Sequence, residues 1–352
     1  MATTSYGVND PLAVKLWSKT LNVEVLKATW ARRFMGETSS SVIQVKDETS
    51  KSAGDKITYG LRMQLTGPGV IGDGTLEGLE ESLTTYSDAV LINQLRHAVR
   101  SAGRMSQQRV PFSIRDEALS GLRDWWSDRI DQAFFNQVCG NTVQTDTRYT
   151  GLNAAVAPDA NHVAYSDSSA LAEGSITTTA TYTLTMIDKA VERARTLTPA
   201  IRPVNVNGRT FYVTFLHPYQ VTDLRTSVTT GQWLDIQKAA MTGGEIEDNP
   251  IFDGSLGVYN GTILHSDVRV TQGVTSSAVT ANVRRAVFCG AQACMMAYGR
   301  DGGDEQYTWV EELFDYENEL GVSAALIWGM KKSVFNSTDF ATIVTSTYAV
   351  SH

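Results

Sequence analysis

One stretch constrains the fold more than any other: Ser113 to Gly140, SIRDEALSGLRDWWSDRIDQAFFNQVCG. Ser113 with Asp116 three residues on is a capping-box-like start, where a hydroxyl and a carboxylate satisfy orphan backbone donors. Ile114, Ala118, Leu122, Trp125, Trp126, Ile130, Phe134 and Val138 then recur at three- and four-residue spacing, as one helix face requires. Gly140 and Asn141 tolerate the left-handed cap that ends such a helix. At 1.5 Å per residue the rod is roughly 39 Å long, well beyond a usual globular helix. Two adjacent tryptophans need a broad partner surface, so Leu122, Trp125, Trp126, Ile130 and Phe134 are the expected packing residues of this spine.

The segment before it is equally unusual. Asp55 to Thr66 alternates Ile57, Tyr59, Leu61, Met63 and Leu65 with polar residues, a period of two that predicts a strand. Gly67-Pro68-Gly69 and Gly72-Asp73-Gly74 follow as turn chemistry. The return through Thr84 to Arg100 fits a helix or one side of a strand, and a long hairpin is the preferred reading. With glycines at its tip and few large apolar residues there, it would project. An isolated two-stranded ribbon is marginal in water and wants a partner surface.

Elsewhere the elements are mixed. Leu12, Leu16, Leu26, Trp30 and Phe34 predict one or two amphipathic helices in a leading arm. Residues 141–182, rich in Thr, Ser, Ala, Asn and Gly, read as a long surface excursion. Leu184 to Leu197 resumes helical spacing, closed by Pro199 and Pro203. Strands are expected at Phe211–Leu216, Thr262–Val270, Arg285–Tyr298, Tyr307–Phe314, Leu320–Phe335 and Phe340–Val350. Short helices are expected at Tyr219–Ser227 and Trp233–Met241. Strand and helix do not alternate regularly, so the fold class is α+β and not a doubly wound sheet.

Composition narrows the function. The 352 residues are 42% hydrophobic, enough for a real core, and the formal net charge is −8. That balance argues against a dedicated nucleic-acid binder. The first 40 residues carry Lys15, Lys19, Lys27, Arg32 and Arg33 against three acids, too slight an excess to claim such a contact. No apolar run is long enough to span a membrane, and no secretory signal is evident. Cys139, Cys289 and Cys294 give no disulfide framework, which favours an intracellular setting.

Chemistry-bearing motifs are scarce. Gly72-Asp73-Gly74-Thr75-Leu76-Glu77-Gly78 lacks the spacing and the Lys-Ser/Thr of a phosphate loop. Asp301-Gly302-Gly303-Asp304-Glu305 lacks the alternating oxygen ligands of a calcium loop and reads as a turn. His97, His162, His217, His265 and His352 are scattered, and Cys289 and Cys294 would point to opposite faces of a strand. Glu80-Glu81 and Glu311-Glu312 could act as acid–base pairs if buried together, although exposed carboxylates are the rule. His217 with Cys139 or Cys289 is the one assembled triad to consider. Catalytic, cofactor and metal residues are therefore expected to be none.

The order of leading arm, projecting hairpin, long spine helix, mixed body and closing strand resembles the major capsid proteins of tailed phages, whose fold is shared with the floor of herpesvirus capsids. The wording is closer still to podoviruses that package a very large virion RNA polymerase. Gly72-Asp73-Gly74-Thr75-Leu76-Glu77-Gly78, Gln94-Leu95-Arg96-His97-Ala98-Val99-Arg100 and Asp124-Trp125-Trp126 with Asp128-Arg129-Ile130-Asp131 carry the likeness. So do Phe135-Asn136-Gln137 before Cys139-Gly140-Asn141, the run from Phe215 to Arg225 and Gly231-Gln232-Trp233-Leu234. Late in the chain the same holds of Trp309 to Tyr316 and of Ile327-Trp328-Gly329-Met330-Lys331-Lys332.

What the resemblance implies is a structural role in the virion, without enzyme activity. Copies would form pentamers and hexamers closing an icosahedral shell around double-stranded DNA. A scaffolding protein would assist, a portal protein would occupy one vertex, and a decoration protein could bind outside. Residues 1–45 would be an N-arm, and 46–105 an extended loop contacting a neighbour through Gly67, Pro68, Gly69, Gly72, Asp73 and Gly74. Residues 106–140 would be the spine of the peripheral domain and 141–199 a connection. Residues 200–306 would make the axial domain, and 307–352 the closing strands. Some shells of this fold cross-link a loop lysine to an asparagine; Thr66 to Gly74 holds no lysine, so no such bond is expected from the tip. An encapsulin-like shell around protein cargo, or a hydrolase built on His217, are the alternatives.

Overall fold

The computed structural model describes residues 11–46, 54–111, 113–206, 208–226, 255–275, 278–299 and 306–352. The expected helix Trp233–Met241, the Gly231–Leu234 motif and the turn at Asp301–Asp304 lie outside them.

An arm helix, Pro11–Ala28, is followed by a 3-10 turn, Trp30–Phe34, and the short strands β1 (Met35–Gly36) and β2 (Ile43–Lys46). The hairpin is β3 (Lys56–Arg62) with β4 (Thr85–Leu91), and the return limb continues as β5 (Asn93–Arg100). A short helix, Arg104–Arg109, precedes the spine helix Ile114–Val138. Then come β6 (Val163–Tyr165), the helix Leu184–Thr196, β7 (Val204–Val206), β8 (Arg209–Leu216) and the helix Pro218–Thr226. β9 (Gly257–Tyr259), β10 (Thr262–Ser266), β11 (Gln272–Thr275), β12 (Ala278–Cys289) and β13 (Cys294–Tyr298) follow. The chain closes with β14 (Tyr307–Phe314), β15 (Glu319–Lys332), β16 (Val334–Phe335), β17 (Thr338–Asp339) and β18 (Thr342–Tyr348).

Two sheets organise the described residues. One runs β1-β2-β13-β15-β14, with β5 also pairing with β15. The other runs β6-β18-β12-β8-β10-β9, with β11 on β12 and β7 on β8. Neighbours such as β8 and β10 are parallel while β12 and β8 are antiparallel, so the fold is α+β as the irregular element order implies.

The spine helix begins as its cap predicts, with Ser113 Oγ accepting from the Asp116 N–H at 3.4 Å. It ends at Gly140, whose φ of +65° brings its Cα so close to the Val156 carbonyl that any side chain would collide. Leu122, Trp126, Ile130 and Phe134 are buried, and Trp125 is half-buried. Trp126 meets Tyr307 of β14 edge-to-face at 5.4 Å, which seats the helix on the first sheet. Phe134 and Phe135 both reach Phe215 of β8, so the far end of the helix also serves the second sheet. Large aromatic burial at the middle and the C-terminal part of the helix explains why so long a helix is stable.

Three expectations are corrected. Residues 141–182 are less a surface excursion than a strap: β6 pairs in parallel with β18, and Glu173 is buried. Polar composition hid this, because buried Thr150, Asn153 and Glu173 sit there beside a few small or aromatic residues, Ala164, Ala170 and Tyr182, that form no periodic apolar face. Arg285–Tyr298 is not one strand, since the chain turns at Gly290–Ala293 and passes from the second sheet to the first. Cys289 and Cys294 therefore lie on different strands, and the argument from opposite faces of one strand does not apply. The closing region 307–352 is likewise divided: β14 and β15 belong to the first sheet and β18 to the second.

Candidate assembly surfaces

The hairpin is built from its register outward. β3 and β4 pair antiparallel from Lys56↔Leu91 to Arg62↔Thr85. The return limb is strand, not helix, and it breaks at Ile92 to change partner, with β5 crossing to β15. Asn153, from the strap, grips that break: its amide accepts from the Leu91 N–H at 2.9 Å and donates to the Leu91 carbonyl at 2.7 Å. Gln137 of the spine helix donates to the Asn153 carbonyl at 2.7 Å. On the other side, Tyr59 donates to Asp88 at 2.8 Å and Lys331 ion-pairs with the same carboxylate. Burial, reinforced by the Asp88 charge, pushes the Tyr59 hydroxyl far above its ordinary range, so it stays a donor. At Gly329 any Cβ would strike the Leu91 carbonyl, which explains a glycine amid the apolar run Ile327–Met330. The base of the hairpin is thus fastened to both the spine and the first sheet.

Beyond Arg62 the regular pairing ends after one more backbone bond, from the Met63 N–H to the Thr84 carbonyl at 3.0 Å. Gly67, Pro68, Gly69, Gly72, Asp73 and Gly74 are all exposed, as is every residue from 71 to 85. Ile71 stands 94% exposed, and Leu65, Leu76, Leu79 and Leu83 are also uncovered. One carboxylate shapes the loop. Glu81 accepts from the Thr66 N–H at 2.9 Å and the Gly67 N–H at 2.6 Å, bonds that hold its carboxyl below the usual range. Glu80-Glu81 is therefore an exposed loop device and not a buried acid pair.

The arm is pinned by a second carboxylate. Asp131, on the spine helix and buried, accepts from the Trp30 N–H at 3.1 Å and the Ala31 N–H at 2.9 Å. Its charge is partly met by Arg269, which also contacts Asp128 and Asp267. Desolvation raises the Asp131 pKa to about 6 against the pull of those bonds. Trp17 of the arm helix stacks on Trp309 of β14 at 5.8 Å, and Trp309 donates to Glu311 at 2.9 Å. Glu311 in turn pairs with Arg115 at 2.6 Å, while Glu312 is exposed, so these two acids are not buried together.

The catalytic readings find no support in the geometry. His217 Nδ1 accepts from the Tyr219 N–H at 3.2 Å, and burial, with Arg284 beside it, depresses its pKa to about 4. Cys139 faces the Arg285 carbonyl at 3.8 Å, and burial raises the thiols of Cys139, Cys289 and Cys294, the reverse of what activates a nucleophile. An open cavity of about 400 Å³ is lined by Tyr165, Asp167, Lys189, Glu192 and Arg193, and neither His217 nor any of the three cysteines lines it. Among the described residues no cluster of three His, Cys, Asp or Glu could hold a metal, and no helix is long and apolar enough to cross a membrane.

The residues that sequence reasoning missed are buried polar ones: Asn153, Glu173, Asp131, and the pair Lys332–Asp339 at 2.7 Å. Their partners lie far away in the chain or across a turn, so local spacing carries no mark of them.

Comparison with known proteins agrees with this architecture. The chain is 28% identical over 93% of its length, and 93% of the relative's, to the major capsid protein of Pseudomonas phage KPP25. The capsid of Ralstonia phage GP4 superposes with a TM-score of 0.80 at 36% identity, covering 99% of both chains. The capsid of cyanophage Pam1 shares the fold, with a TM-score of 0.72 at 18% identity over 100% of this chain and 95% of that one. A family model described as phage capsid protein matches residues 5–351, and the chain belongs to that family.

Proposed function

We propose that copies of this chain assemble as pentamers and hexamers into an icosahedral head that encloses packaged double-stranded DNA. One observation carries the reading: a loop, residues 63–84, whose base is fastened, whose path is preset by Glu81, and whose leucines and Ile71 stand uncovered among the described residues. Apolar side chains held in water on an ordered projection mark a contact surface. The loop would lie over a neighbouring copy, with Gly67, Pro68, Gly69, Gly72, Asp73 and Gly74 at its tip in the contact. The arm and the loop would be the exchanged parts, and the two sheets with the spine helix the rigid body. A separate scaffolding protein, a portal at one vertex and an outer decoration protein are the further partners of such a head. The net charge of −8 suits a shell that must release its genome. The shared motifs from Gly72 to Lys332 support a narrower assignment, to podoviruses that package a very large virion RNA polymerase.

Electron microscopy of the chain expressed with its scaffolding protein tests the reading. Closed shells are expected; monodisperse monomers that never assemble would overturn it.

A further inference from the structure

The hairpin between β14 and β15 ends in a strained tip. Asp315, Tyr316 and Glu317 are consecutive non-glycine residues with φ of +50°, +51° and +67°. The left-handed region crowds Cβ against the following carbonyl, so three in succession stand against local preference. All three are exposed, and Tyr316 projects completely, at 103%. The stem beneath is firm: Arg100 lies 4.2 Å over the Phe314 ring and pairs with Glu319 at 2.5 Å. The Asn318 N–H closes the turn on the Asp315 carbonyl at 3.0 Å.

Beside this tip lies the helix Arg104–Arg109, fixed there by the Arg104 N–H donating to Asn318 Oδ1 at 3.3 Å. None of its six residues is buried. So short a helix has too little hydrogen bonding to persist without a packed face, and this one half-buries only Ser106 and Gln107. Arg104, Met105, Gln108 and Arg109 are exposed. One end of the molecule therefore carries an acidic knob with an aromatic summit next to a basic patch with an apolar thioether.

Opposite charges that lie side by side on one chain are matched by a second copy turned about an axis. We propose that the Asp315–Tyr316–Glu317 knob of one copy docks on the Arg104–Arg109 helix of a neighbouring copy. A tyrosine on a rigid turn loses little entropy on burial and is a favoured interface anchor. Met105 supplies an adaptable apolar seat, and the two arginines supply planar donors for Asp315 and Glu317. The occupant is another copy because the knob and its complement are both on this chain. The proposal rests on the reading of the chain as a shell subunit.

Charge exchange tests it. Asp315→Lys with Glu317→Lys, and separately Arg104→Glu with Arg109→Glu, are expected to lower the yield of closed shells about ten-fold or more through like-charge contact. All four changes together are expected to restore most of the yield, and Tyr316→Ala to weaken assembly while leaving the subunit's thermal unfolding unchanged. Reversed variants that assemble like the wild type, or a four-fold variant no better than its parents, would overturn the docking and leave the shell reading intact. A wild-type chain that forms no shells would instead refute the shell reading, and the docking with it.

Discussion

Arg285 and Glu173 meet face to face inside the protein, 112 residues apart in sequence, with Nε 2.7 Å from Oε1 and Nη2 2.8 Å from Oε2. The remaining nitrogen, Nη1, donates to the carbonyls of Cys139 and Gly140 at 3.0 and 2.7 Å. One guanidinium thus joins the C-terminal end of the spine helix, the strap and β12. Last-turn carbonyls lack intrahelical donors, so a cation there serves hydrogen bonding and the helix dipole together.

Replacing Glu173 by Ala would leave that guanidinium buried without its counter-charge. A loss of about 3–5 kcal/mol in subunit stability is expected, because the penalty is the stranded charge and not the pair's net worth. Denaturant unfolding of the unassembled subunit measures it; a change below about 1 kcal/mol would show that the strap is not held by this pair.

Asp131 makes the arm's attachment pH-dependent. Its folded pKa of about 6 lies above the ordinary 3.8, so the folded protein takes up a proton before the unfolded chain does. The stability this confers is full below the unfolded value and is lost as pH rises through about 6, a difference of roughly 2–3 kcal/mol. Asp131→Asn should flatten the stability profile between about pH 4 and 6 while keeping a carbonyl for the Ala31 N–H. Burial also raises Asp267, so the comparison is wild type against variant at each pH. Parallel profiles would sink the assignment.

Trp126 is fully buried between the spine and Tyr307. Trp126→Ala is expected to cost about 3–5 kcal/mol and to impair folding or assembly. Well-formed particles from that variant in wild-type yield would show that the helix needs less of the first sheet than its packing implies.

Glu81→Gln removes the charge that gathers Thr66 and Gly67. Limited proteolysis should then cut within residues 63–84 faster in the free subunit, with the rest of the chain resisting as before. Equal cleavage rates would mean that the loop's path is set by something other than this carboxylate.

The spine helix was legible because everything that defines it is local: a cap at Ser113, apolar residues three and four apart, and a glycine at 140. The β3 strand was legible for the same reason, through its period of two. The return limb was ambiguous because Leu91, Leu95 and Val99 satisfy both periods, and its change of partner at Ile92 depends on Asn153, 62 residues away from Leu91. The exposed tip residues, Gly67 to Gly74, announced a projection, yet nothing local marked Glu81 as the group that shapes it.

Sequence alone determined the α+β class, the long helix, the projecting hairpin and the family, since each rests on periodicity, turn chemistry or recurring motifs along the chain. Tertiary structure decided how the spine works. Trp125 and Trp126 part company, with Trp126 buried against Tyr307 and Trp125 stacked on His97 at the surface. The strap crosses into the second sheet, and Asp131, Glu173 and Lys332 find their partners inside. Those outcomes depend on pairing between distant residues in a low dielectric, where an unpaired charge is costly and a paired one is tolerated, and no local pattern encodes that.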